Sequence, residues 1–95
     1  MSFPCIPSSS VEYVSVPVTG DYTESMTVQM AVVAYGVEPG TSDWKAAAWD
    51  DGNARILLGA GSAVGELDEG MYGVWVKVIA TGESPVMYSG GIRIT

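Results

Sequence analysis

Residues Tyr72-Gly73-Val74-Trp75-Val76-Lys77-Val78-Ile79 alternate between two sets of side chains, and no other feature constrains the fold of this chain as tightly. Successive side chains of a β-strand point to opposite faces, so Tyr72, Val74, Val76 and Val78 form one face and Trp75, Lys77 and Ile79 the other. A helix would scatter both sets around its axis. The segment Tyr72 to Ala80 is therefore expected to be a central strand with an apolar inner face. On its outer face stands a tryptophan that needs cover, supplied by local loops, by Trp49, or by another protein.

The flanking sequence breaks into further short strands. Val11 to Val18 is β-branched or aromatic and carries Pro17, which suits an edge strand because proline cannot donate to a central ladder. Met26 to Tyr35 sets Val28, Met30, Val32 and Ala34 on one parity against Thr27 and Gln29, and becomes apolar on both faces toward its end. Asp43 to Trp49 is ambiguous, since alanine and lysine favour helix, but the turns on either side favour a strand. Asp50-Asp51-Gly52-Asn53 leads straight into Ala54 to Leu58 and reads as a hairpin turn. Gly59 to Ser62 closes that unit within a flexible inter-strand loop running to Gly65, Leu67 to Gly70 reads as a corner, and Val86 to Thr95 as the last strand. About seven short strands with no convincing helix point to an all-β, antiparallel β-sandwich.

A chain of 95 residues closes one core, assigned to residues 11–95. Residues 1–10 carry Pro4, Pro7 and three serines and are expected to form an extended N-terminal arm. Phe3, Cys5 and Ile6 give that arm apolar grips, so it is expected either as a loose tail or as an arm laid against a neighbour. Its removal is then expected to weaken attachment to a partner while leaving the fold intact.

Several functions are disfavoured by what the chain lacks. It has no histidine, which removes the commonest general base and the usual nitrogen ligand for zinc. Cys5 is the single cysteine, so neither an internal disulfide nor a paired-cysteine metal site can form. Asp50 and Asp51 are adjacent turn residues whose carboxylates diverge, and they lack the alternating ligands and closing glutamate of a calcium loop. The glycines from Gly59 to Gly65 lack the lysine and helix of a phosphate cradle. No cofactor, metal, small-molecule substrate or enzymatic activity is expected. The net charge of −7 opposes nucleic-acid binding, and no apolar run reaches the length of a membrane span. The start lacks the basic and apolar regions of a secretory signal, so synthesis in the cytoplasm is expected. With 47% hydrophobic and only 16% charged residues, part of the apolar surface is expected to meet a partner.

The order Leu67, an acidic-glycine turn ending at Gly70, then Tyr72 resembles the tyrosine corner of immunoglobulin-like sandwiches. That resemblance implies that the Tyr72 hydroxyl bonds a backbone group a few residues upstream and pins the turn. A wider pattern runs from Val28 onward over about two-thirds of the chain. It comprises Asp43-Trp44 through Ala48-Trp49, Ile56-Leu57-Leu58-Gly59, Gly70 to Val78, Ser84-Pro85-Val86 and Gly90-Gly91-Ile92-Arg93-Ile94. Together these segments resemble the small immunoglobulin-like structural and accessory proteins of tailed-bacteriophage virions. The resemblance implies a non-enzymatic virion component, a capsid decoration, connector or tail protein, made in the host bacterial cytoplasm and repeated in many symmetric copies. Its partners would be other virion proteins such as a capsid or tail subunit, met through Phe3, Ile6, Trp49, Trp75, Lys77 and Ile79. The alternative is a carbohydrate-binding sandwich module, for which Trp44, Trp49 and Trp75 would have to lie coplanar on one face.

Overall fold

The computed structural model describes residues 5–18, 26–80, 82 and 84–95. Phe3, one of the expected interface residues, lies outside the described residues. Eight strands occur among those described: β1 (Cys5–Ile6), β2 (Glu12–Pro17), β3 (Thr27–Ala34), β4 (Lys45–Ala46), β5 (Ala48–Asp50), β6 (Asn53–Leu58), β7 (Gly70–Ile79) and β8 (Val86–Ile94). They form a five-stranded sheet in the order β1-β8-β7-β3-β4 and a three-stranded sheet in the order β2-β6-β5. The result is the β-sandwich that the alternation requires. Its one helical piece among the described residues is a single 3-10 turn, Thr41–Asp43, where the Asp43 carboxylate accepts the Gly40 N–H at 2.7 Å.

The inner faces meet as the strand parities dictate. Val28 and Met30 of β3, Val74, Val76 and Val78 of β7, and Ile92 and Ile94 of β8 pack against Val14 and Val16 of β2 and Ala54, Ile56 and Leu58 of β6. Burying a valine, leucine or isoleucine side chain stabilises by about 1.5 to 3 kcal/mol relative to leaving it in water. A sandwich with no disulfide therefore rests on this layer. The expected hairpin joins β5 to β6, with Asp50 opposite Asn53. Asp51 and Gly52 both take positive φ, 50° and 82°, the geometry that matches the twist of two tightly linked strands.

Four features depart from the sequence expectation. Cys5 and Ile6 do not form a free arm: β1 pairs in parallel with β8, Cys5 opposite Arg93 and Ile6 opposite Ile94. The Thr95 N–H donates to the Ile6 carbonyl at 3.0 Å and the Ser8 N–H to the Thr95 carbonyl at 2.7 Å. Ile6, expected on the interface, is only 8% exposed and belongs to the core, which leaves little of it for a partner to touch. An edge strand two residues long tolerates a proline on either side, and burial of an isoleucine favours it. Truncating residues 1–10 would thus remove core material as well as any grip.

Asp43 to Trp49 is not one strand. β4 pairs with β3, Ala47 donates to the Val28 carbonyl at 3.1 Å, and the chain then crosses to the other sheet as β5 beside β6. Ala46, Ala47 and Ala48 have nothing beyond Cβ to obstruct that crossing. The loop from Gly59 to Gly65 is internally bonded: Gly59 N–H donates to the Gly65 carbonyl, Ser62 N–H and Oγ to the Gly59 carbonyl, and Gly65 N–H to Ser62 Oγ. Finally, β8 carries a bulge, for Val74 pairs with Gly90 while the next residue, Trp75, pairs with Tyr88. Ser89 is the extra residue, and Gly90 with φ +124° accommodates it.

Candidate functional site

The outer face of the five-stranded sheet is set by register. Ala31, Trp75 and Tyr88 lie in one row across β3, β7 and β8, Val33, Gly73 and Gly91 in the next, and Gln29, Lys77 and Val86 in a third. Ala31 is fully buried and Val33 9% exposed, although neither belongs to the core between the sheets. An aromatic pair stands on the same face, beside Ala31 in register. Trp75 and Tyr88 meet edge to face, with ring centroids 5.2 Å apart and planes at 60°, a favoured arrangement for aromatic quadrupoles.

Gly73 makes this possible. A Cβ there would stand 3.2 Å from the Tyr88 ring and 3.4 Å from the Trp75 indole nitrogen, so both rings lie over bare backbone. The bulge in β8 is equally necessary. Without the extra residue Tyr88 would share the parity of Ile92 and Ile94 and point inward; with it, Tyr88 and Val86 point outward while both isoleucines stay in the core.

Tyr35 follows the end of β3, held by its N–H donating to the Met71 carbonyl at 3.1 Å. Tyr35, Gly36, Glu38, Trp75 and Tyr88 line a shallow cleft of about 410 Å³. Desolvation, and then the neighbouring Tyr35 phenol that hydrogen-bonds it, raise the pKa of Tyr88 above the ordinary tyrosine value. Tyr35 and Tyr88 nevertheless remain about half exposed, at 52% and 48%. Beyond the cleft, Ile79 and Val86 extend the apolar surface. Lys77 Nζ lies 4.5 Å from the centroid of Trp44, a cation–π contact at the margin of the patch.

Trp75, Lys77 and Ile79 are thus neighbours on one outer face. Trp49 is elsewhere: it sits on the three-stranded sheet, packs against the core and donates its indole N–H to the Met26 carbonyl at 2.7 Å. It is a structural residue and neither covers Trp75 nor joins its surface, because the sheet switch at Ala47 carries it to the opposite layer. The same switch separates Trp49 from Trp44, so the three tryptophans do not share one face. At the start of β7, Tyr72 Oη donates to the Asp68 carbonyl at 2.8 Å, and Leu67 and Tyr72 are half-buried against the core. Gly70, with φ +151°, opens the strand.

Tyr35, Glu38, Gly73 and Tyr88 were not singled out by sequence reasoning. The available signal was the Gly90-Gly91 pair, which marks the site of a bulge and hence a change of face for everything before it. The outer face of the three-stranded sheet carries charge. There Arg55 lies over Tyr13 at 4.4 Å and approaches Asp50 at 3.9 Å, an exposed pair worth little in water. Among the described residues no group of three or more His, Cys, Asp or Glu side chains is gathered as for a metal ion, and no helix is long and apolar enough to cross a membrane. No family model matches the chain, and neither a curated protein nor a solved structure matches it.

Proposed function

We propose that this chain is a non-enzymatic structural component of a tailed-bacteriophage virion, held among other virion proteins by the outer face of its five-stranded sheet. One observation carries the docking part: Tyr35, Trp75, Ile79, Val86 and Tyr88 form a partly exposed aromatic and aliphatic surface on that face. Tryptophan and tyrosine are enriched at the centres of protein interfaces, and contiguous apolar patches mark contact sites. The identity of the neighbours rests on the resemblance of the strand sequences to small immunoglobulin-like virion proteins. In that setting the Tyr72 hydrogen bond acts as a tyrosine corner that stiffens the scaffold. Many symmetric copies would multiply a modest contact by avidity, so each copy needs only a small interface.

Mass spectrometry of purified particles should detect the chain at a copy number set by the particle's symmetry. Trp75→Ala should fold normally and be lost from the particles. Retention of that variant at the parental level would refute the docking face, and absence of the parent chain from particles would refute the virion assignment. A change in tryptophan fluorescence on adding glycans would favour the carbohydrate-binding alternative instead.

A further inference from the structure

We infer that the cleft between Tyr35, Glu38, Trp75 and Tyr88 receives a basic side chain, arginine or lysine, from the neighbouring protein. The inference rests on the docking face proposed above and names the chemistry of what docks there. Three rings from three separate parts of the chain converge on one cleft, and the 60° tilt between Trp75 and Tyr88 gives it walls instead of a flat floor. Aromatic faces carry negative quadrupole potential and attract cations placed over them. Glu38 is the one acidic residue of the same lining, which contains no basic residue.

None of the chain's own four cations lines the cleft, and three of them have partners elsewhere. Lys77 lies over Trp44, Arg55 over Tyr13, Lys45 Nζ donates to the Ser42 carbonyl at 3.2 Å, and Arg93 stands in register with Cys5 and Met71. The fold thus already seats one basic group on an aromatic ring on each of its two sheets. The cleft repeats that chemistry with an acid in place of the resident base. A chain of net charge −7 also draws a basic partner segment from a distance. An aliphatic side chain would cover the rings equally well but would leave the carboxylate beside an apolar contact, and an acidic one would be repelled.

The test is an NMR titration of the isolated protein with N-acetyl-arginine methylamide, using the citrulline analogue as a neutral probe of nearly the same shape. Arginine should shift the Trp75 indole N–H and the Gly36 amide saturably, and citrulline should bind about fivefold more weakly. Glu38→Gln, at an exposed position, should keep the parental spectrum and reduce arginine binding by a similar factor. Equal binding of the two probes, or shifts centred away from the cleft, would overturn the inference. Particle retention separates the two ideas. If Trp75→Ala is lost from particles while Glu38→Gln is retained like the parent, the face docks without a cation and this inference alone falls. If both are retained, the docking face falls as well. Loss of both supports the two together.

Discussion

Replacing Tyr72 by phenylalanine isolates one hydrogen bond. The ring keeps its place against the core, and what disappears is the donation from Tyr72 Oη to the Asp68 carbonyl at 2.8 Å. A neutral hydrogen bond of this kind contributes about 0.5 to 1.5 kcal/mol net of water. Here the bond lies at an exposed site, so in the variant water reaches the freed carbonyl and no buried acceptor is left orphaned. The expected loss is therefore in the lower part of that range, about 0.5 to 1 kcal/mol. A domain of this size shifts its Tm by roughly 4 to 8 °C per kcal/mol, so the variant should melt about 2 to 8 °C below the parent. Urea unfolding should show a lower midpoint with an unchanged slope, since the surface exposed on unfolding is the same. An unchanged midpoint would refute the corner as a lock. A loss beyond about 2 kcal/mol would equally refute the reasoning, because a solvated bond cannot supply it.

Three further variants follow from the geometry. Gly59→Ala would place a Cβ 2.5 Å from the Ser10 carbonyl oxygen at φ +112°, and should cost about 3 kcal/mol in urea unfolding. Gly61→Ala, at φ +84° with nothing within 4 Å, should cost only about 1 kcal/mol, and equal losses at both positions would contradict the close approach. Trp49→Phe removes the indole N–H bonded to the Met26 carbonyl and part of the packed ring, and should lower stability by about 2 kcal/mol; a loss under about 0.5 kcal/mol would return Trp49 to the surface. Tyr88 should ionise above the ordinary value of 10.0 in a spectrophotometric phenolate titration, because desolvation and then Tyr35 favour its neutral form. The stability this contributes is present below the unfolded pKa and is lost as pH rises through the higher folded value. Tyr35→Phe should move the titration back toward the ordinary value, and an unmoved curve would rule out the phenol pair.

What the sequence disclosed, it disclosed through local rules. The valines of β7 alternate because one face is buried, and Asp51-Gly52 marks a hairpin because few other pairs tolerate two positive φ angles in succession. Pro17 ends an edge strand, as its missing N–H requires. Features that depend on distant partners were not legible. The sheet switch at Ala47 hides in a run of alanines compatible with helix or strand. Strand β1 is visible only once β8 offers it an edge, so proline-flanked Cys5 and Ile6 read as an arm. The candidate site suffered most from this. Trp75 could be placed outward from its own strand, but its partner Tyr88 is assigned to that face only by the bulge in β8, where Ser89 reverses the alternation.

The pairing of β1 with β8 has a consequence for how the molecule is made. Hairpin β5–β6 is closed by two residues and needs no other strand in place, whereas Ile6 has no partner until Ile94 exists. During synthesis the beginning of the described chain leaves the ribosome first and waits for nearly everything after it. Among the described strands β1 is thus made first yet can pair only after β8, and Ile6 then joins the hydrophobic interior.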